Sequence, residues 1–374
     1  MMTKIKKRDR GLRGFKAADS AICCITKEEY GLIYYGYPIG ELASKSTFEE
    51  TTFLLLNGEL PTNTQLAQWK EALVNYREMP ELLKKVLDNL PANAHPMDVT
   101  RTAVSVLGIA KPEETYDDVQ PAVRLLGVLP TVLGYISSRI QGKEFRPSSE
   151  EKSLAGYLLE MLTGHPPTET ERKMMDASLI LYAEHDLTAS TFSSRVCAAT
   201  MADYYACITN GIATLSGKLH GGANEAVINY LTTFDSVKQA EETIRSMLER
   251  KERVIGFGHP VYITKDPRNH IIKGWARKLS EEKNDMHLFE IAEAVEKIMQ
   301  EEKNLFANLD FYSGTSYYLA GIKTSLYTPI FVLSRSSGWS AHIFEQRADD
   351  VLIRPVANYI GVAKRHYVPI DERE

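Results

Sequence analysis

Three times before residue 170 the chain sets a Ser or Thr three residues ahead of a Glu or Gln, immediately before an apolar run. The pairs are Ser46 with Glu49, Thr62 with Gln65, and Thr168 with Glu171. Each predicts a capping box, in which the hydroxyl and the acid or amide satisfy backbone donors at a helix start. Asn57-Gly58 reads as the stop of the first of these helices. Further helical windows fall at about 98–110, 119–141, 149–163, 188–210, 222–233, 236–250, 267–282, 288–304 and 327–347. Gly and Pro punctuate between these windows and not inside alternating segments. One hairpin is expected, pairing Ala21–Thr26 with Leu32–Tyr37 across a turn from Lys27 to Gly31. The reading is all-α, with minor β at the termini.

At 374 residues the chain has room for about two or three domains. Residues 236–304 are dense in charge and amphipathic, whereas Ser178–Tyr182 and Phe331–Leu333 are apolar. Charged amphipathic helices suit a small unit with much surface, and apolar ones the interior of a larger unit. The expected division is therefore a discontinuous large helical domain, 1–219 with 322–374, and a smaller inserted helical domain, 220–321.

Forty-four Lys and Arg against 49 Asp and Glu give a net charge of −5. That balance removes the usual attraction for nucleic acid or anionic lipid. The apolar run Leu125–Ile136 is short and interrupted by Pro130 and Gly134, so no membrane span is expected. The four cysteines show neither CxxC nor metal-ligand spacing and read as buried, inert thiols. The basic N-terminus (Lys4, Lys6, Lys7, Arg8, Arg10, Arg13, Lys16) lacks the apolar stretch of a secretory signal and reads as a solvated arm. A cytoplasmic protein is expected, with the mitochondrial matrix as the second compartment.

Three histidines lie in Gly-rich or turn-like sequence: His185 in Ala-Glu-His-Asp, His220 in Lys-Leu-His-Gly-Gly, and His259 in Gly-Phe-Gly-His-Pro. The ordinary reading of a lone His is a surface or satisfied core residue. Flanking glycines favour a site, because they let a ligand approach the main chain. His220 precedes a helix starting near Gly222, whose dipole would disfavour the imidazolium. A neutral imidazole can donate to a developing enolate oxygen. No HxxxH pair, P-loop, complete dinucleotide fingerprint or GxSxG elbow is present. Arg268, Arg335 and Arg354 each sit at an element end, where a surface salt bridge competes with a role as a carboxylate clamp. Asp310, in Asn-Leu-Asp-Phe-Tyr, is either a helix N-cap or a carboxylate raised toward general-base range by apolar neighbours.

With these residues in view, the chain resembles the citrate synthase family from Gly36-Tyr37-Pro38-Ile39 to Arg354-Pro355. The matching blocks include Leu54–Pro61, His95–Asp98, Ala189–Phe192, Leu219–Glu225, Gly256–Pro260, Asp266–Arg268 and Asn308–Ser313. Leu181–Asp186 and the Leu309-Asp310 pair resemble the 2-methylcitrate branch of that family. The resemblance implies condensation of propionyl-CoA or acetyl-CoA with oxaloacetate, followed by hydrolysis of the CoA ester. Asp310 would act as base, His220 would hydrogen-bond the thioester oxygen, and His259 would polarise the oxaloacetate ketone. His185, Arg268, Arg335 and Arg354 would hold oxaloacetate, and the backbone of Arg253, Val254, Ile255, Gly256 and Phe257 would cup the CoA adenine. Ile263 stands near a position where some members carry a basic CoA-phosphate ligand. The resemblance further implies a homodimer, Arg354 reaching the neighbouring subunit's site, and a small domain that closes over oxaloacetate. No metal or separate cofactor is implied, the CoA thioester being a substrate. Two other readings are a citrate synthase using acetyl-CoA, and a non-catalytic helical scaffold.

Overall fold

The structure, a computed structural model, describes residues 11–12, 14–26 and 31–374. Residues 1–10 and 13 of the basic arm, and Lys27–Tyr30 of the hairpin turn, lie outside the described residues. Among the described residues there are three short strands and sixteen α-helices. Strands β1 (Cys23–Ile25), β2 (Leu32–Tyr34) and β3 (Tyr37–Pro38) form one antiparallel sheet in that order, with Tyr34 opposite both Cys23 and Tyr37. The β structure expected at the other end is absent. Residues 351–369 form no strand, and nearly all of them are exposed.

Ten helices follow the sheet: α1 (Ile39–Lys45), α2 (Phe48–Asn57), α3 (Asn63–Asn75), α4 (Glu81–Asp88), α5 (Pro96–Ala110), α6 (Gln120–Ile140), α7 (Leu154–Thr163), α8 (Glu169–Tyr182), α9 (Ala189–Ala198) and α10 (Tyr204–Leu215). Six more complete the chain: α11 (Ala223–Leu231), α12 (Val237–Glu249), α13 (Asn269–Glu282), α14 (His287–Lys303), α15 (Leu309–Leu319) and α16 (Tyr327–Asp349).

The capping signals set the starts of three helices. Thr62 with Gln65 opens α3, and Thr168 with Glu171 opens α8, each as a reciprocal box. The first box is shifted by one residue from expectation: Thr47 and Glu50, not Ser46 and Glu49, cap α2. Ser46 instead bonds back to the Leu42 carbonyl at 2.9 Å and ends α1. Glu49, displaced from the box, is buried and accepts the Leu154 N–H at 2.7 Å, so it caps α7 from a distance. Gly58, at φ 80°, closes α2 in the left-handed conformation.

One window needed correction. The stretch 188–210 is two helices, because Met201 takes φ 59° and Asp203 caps a new start by accepting the Ala206 N–H at 3.0 Å. Helices α1 and α4 fall in no window, and neither does α15, although the N-cap reading of Asp310 supposed a helix there. Nine of the eleven residues of α15 are buried, so it has no polar face and hence no amphipathic period. The run Leu125–Ile136 lies within a continuous helix, α6, that Pro130 does not break. That helix is long and apolar enough to cross a membrane by length and composition, but it is almost wholly buried inside the protein.

The last helix organises the rest. Helix α16 packs against α2, α6, α8, α9 and α10, and its buried face carries Ser334, Ser336, Ser337, Gly338 and Ser340. Small side chains let neighbouring backbones come close. Their hydroxyls bond back to helix carbonyls, as Ser340 does to Ser336 at 2.5 Å, or across to α8, as Ser334 does to Leu179 at 2.5 Å. Helices α11 to α15 pack largely among themselves, with α13 resting on α8 and α11 on α16. The seam between these two groups carries the candidate site.

Replacing Thr47 with Ala removes the hydroxyl half of a capping box and is expected to cost about 1 kcal/mol. A urea-unfolding midpoint unchanged in this variant would refute the cap's contribution.

Candidate active site

A cleft of about 630 Å³ opens at this seam, within the range of small-molecule sites. It is lined by His185, His220, His259 and Asp310, by Leu187, Thr188 and Ala189 where α9 begins, and by Arg253, Ile255, Gly256 and Phe257. The structure thus brings together four of the seven residues read as catalytic or substrate-binding, and Arg268 and Arg335 pack behind them.

His220 meets a helix N-terminus, but not that of the helix following it. The Ser190 N–H, in the first turn of α9, donates to His220 Nε2 at 3.1 Å. Ser190 Oγ lies 2.7 Å from the same nitrogen and receives the Trp339 indole N–H at 3.2 Å. The Ser190 main-chain N–H can only donate, so Nε2 of His220 is the acceptor of that bond. With Nε2 occupied as an acceptor, the neutral ring carries its proton on Nδ1. Burial, with Arg335 nearby, pushes its pKa down to about 4.

His259 has the opposite tautomer. Its Nδ1 faces the backbone N–H groups of Val261 and Tyr262 at 3.2 and 3.4 Å, leaving the proton on Nε2. Burial and then Arg268 bring its pKa down to about 4. His185 is buried, and its Nε2 lies 2.9 Å from the Tyr262 hydroxyl, with the His259 ring 5.0 Å away. Burial, followed by Arg268, holds it well below the usual range.

Asp310 occupies the first turn of α15, and Asn308 is the N-cap, accepting the Asp310 N–H at 3.1 Å. The N-cap reading of Asp310 is therefore replaced. Burial raises its pKa despite a 2.7 Å hydrogen bond from Tyr182 and the nearby Arg268. Asn308 also ties the two halves of the site: its Nδ2 donates to the Gly258 carbonyl at 3.1 Å and its N–H to the Gly256 carbonyl at 2.9 Å. Gly256 sits at φ 94°, and a Cβ there would come within 2.8 Å of Phe311 and of Val227. Only glycine fits.

Both arginines behind the cleft are buried. Arg268 grips Asp266 through Nε and Nη2 at 2.9 and 2.8 Å. Arg335 donates Nε to the Tyr182 carbonyl at 2.8 Å and lies 3.4 Å from Thr188 Oγ1. Neither guanidinium uses all its donors, so each retains N–H groups for an anion. Arg354 is not part of this constellation; it lies exposed in the segment after α16. Val254 is buried, unlike its neighbours that face the cleft, and Ile263 is exposed. Among the described residues no group of three or more His, Cys, Asp or Glu is placed to hold a metal. The cysteines depart from expectation: Cys207 is buried, but Cys23 and Cys197 are half-buried and Cys24 is exposed.

Sequence reading singled out the reactive side chains and missed their holders, Ser190, Tyr262, Asp266 and Asn308. A faint signal existed for Asn308, since Asn two residues before an Asp at a helix start is an N-cap pattern.

The sequence profile described as citrate synthase, C-terminal domain, matches residues 11–356. The chain belongs to the citrate synthase family. It is accordingly an acyltransferase-type condensing enzyme. It is 43% identical over 365 residues to the 2-methylcitrate synthase of Shewanella oneidensis, covering 97% of each chain. To the citrate synthase of Deinococcus radiodurans it is 37% identical, covering 98% of this chain and 99% of that one. The solved ternary complex of carboxymethyl coenzyme A and oxaloacetate with citrate synthase from Thermoplasma acidophilum superposes with a TM-score of 0.90 at 32% identity, covering 98% of this chain and 99% of that one.

Three imidazoles held neutral in the fold must take up protons on unfolding below their ordinary pKa of about 6.5. Stability is therefore expected to fall as pH drops from about 6.5 toward 4, the range set by His220 and His259. Asp310, raised in the fold, acts in the opposite sense. Unfolding calorimetry in buffers of different ionisation enthalpy reads the proton uptake, and none at pH 5.5 would refute the neutral assignment.

Proposed function

We propose that the chain condenses propionyl-CoA with oxaloacetate and water to give 2-methylcitrate and CoA. The observation that carries this reading is the pair of neutral imidazoles with opposite tautomers, facing one cleft with a carboxylate of raised pKa. Asp310 removes a proton from the carbon beside the thioester carbonyl. His220 donates from Nδ1 to the thioester oxygen and stabilises the enolate as charge develops. His259 donates from Nε2 to the ketone oxygen of oxaloacetate and supplies the proton as the alcohol forms. Arg268, Arg335 and His185 hold oxaloacetate, and water then cleaves the methylcitryl-CoA ester.

The loop Arg253–Phe257 lines the cleft in its exposed part, which suits backbone contacts to the CoA adenine. No metal ion or separate cofactor takes part in this scheme. Residues 220–321 form the smaller unit that closes over oxaloacetate, with 1–219 and 322–374 as the larger, and the seam at the cleft supports that division. The working form is a homodimer in which Arg354 completes the neighbour's site. The segment that carries it supports this, because Val356 and Ile360 are 86% and 80% exposed, with little cover from the described residues of their own chain.

A second reading, acetyl-CoA as the main substrate, is favoured by the citrate synthases among the relatives, such as that of Deinococcus radiodurans. Measured kcat/KM for the two thioesters decides between them: the first reading expects propionyl-CoA to be preferred. Asp310→Ala is expected to lower condensation by at least about a thousandfold, more than a lone acid–base contribution of 10²–10⁴ at its lower end, while oxaloacetate still binds. Turnover near the unaltered level would refute the assignment of the base.

A further inference from the structure

Behind the cleft lies a fully buried polar set that the proposed chemistry does not use. Glu184, directly before His185, is completely buried. Its Oε1 lies 3.1 Å from His342 Nε2, and its Oε2 is buried without a hydrogen-bond partner. Arg195, also fully buried, faces His342 Nδ1 with its Nη1 at 2.9 Å. A guanidinium can only donate, so the imidazole carries its proton on Nε2, toward Glu184. Arg195 is itself matched by Glu345 at 2.5 Å and bonds Gln346 at 2.9 Å. The main chain of Glu184 is equally fixed: Tyr34 donates its hydroxyl to the Glu184 carbonyl at 2.8 Å and accepts the Glu184 N–H at 3.1 Å.

A buried carboxylate with one hydrogen bond and one bare oxygen is costly on its own. A neighbouring cation accounts for it. Arg335, Gly338 and His342 are spaced i, i+3 and i+7, so they share one face of α16. All three meet the segment 182–184. Arg335 bonds the Tyr182 carbonyl, His342 bonds Glu184, and at Gly338 any Cβ would collide with the Ala183 carbonyl and Glu184 Oε2. Among the described residues no carboxylate forms a direct ion pair with Arg335, and Glu184 is the anion whose charge bears most on it.

We infer that Glu184, clamped by His342 and Arg195, is the resident counter-charge of Arg335, stabilising the empty oxaloacetate site and opposing entry of the dianion. It is a positioning residue that acts through Arg335, and the inference rests on the oxaloacetate site proposed above. Two like charges near one buried guanidinium repel at low effective dielectric. The carboxylate therefore weakens substrate binding while it holds the unliganded fold together.

The test is Glu184→Gln, which keeps an acceptor for His342 and removes the charge. Oxaloacetate titrated calorimetrically against the purified full chain is expected to bind roughly threefold to tenfold more tightly to the variant. The variant's Tm without ligand falls, and saturating oxaloacetate raises it by more than in the unaltered protein. Glu184→Asp, which keeps the charge, shows no tightening. A merely structural role lowers Tm and leaves affinity unchanged or weaker, and that result overturns the proposal. Failure of Glu184→Gln to fold even with oxaloacetate present also overturns it, because the charge would then be needed regardless of the substrate anion. If the unaltered protein binds no oxaloacetate, the site reading fails and not the counter-charge alone.

Discussion

Four donors converge on the carboxylate of Asp266: the N–H, Nε and Nη2 of Arg268 and the N–H of Leu309. A buried carboxylate is tolerated only when its lone pairs are met, and here they are. This one group joins the arginine behind the cleft to the first turn of α15, where Asp310 sits. The adjacent Pro267 presses on Gly31, where an added Cβ would come within 2.8 Å of its ring. The N-terminal sheet, the arginine and the candidate base are thus referenced to a single Asp-Pro-Arg turn.

Electrostatics in the cleft follow from burial. Three imidazoles and one carboxylate are driven toward their neutral forms, while two guanidiniums too basic to yield their protons remain charged. The result is a cationic floor under neutral hydrogen-bond donors and a carboxyl with raised proton affinity. The whole-chain charge of −5 says nothing of this, because the cations are concentrated where solvent is excluded.

The reactive side chains were legible because glycine-rich or turn sequence surrounds them, and the helices because their caps and apolar periods are local. What was not legible is non-local. Ser190 reaches His220 across 30 residues, and Tyr182 reaches Asp310 across 128. Neither partner announces itself by neighbouring residues. The dipole attributed to the helix after His220 belongs instead to α9, a helix end supplied by distant chain. Helix α15 showed no periodic window for a related reason, since a segment buried all round carries no polar stripe to betray its period. The one-residue slip at Ser46 and Thr47 reflects two adjacent hydroxyls, between which only the turn of the preceding helix decides.

The opposite tautomers of His220 and His259 have a geometric corollary. Nδ1 lies one bond from Cγ and close to the main chain, whereas Nε2 lies at the far rim of the ring. The donor of His220 is thus nearly as rigid as its backbone, and the donor of His259 moves with any tilt of its imidazole. An asparagine amide reaches about as far as the first, and a glutamine amide about as far as the second. Two histidines of one cleft therefore have different nearest mimics, and a single replacement applied to both would not disturb them equally.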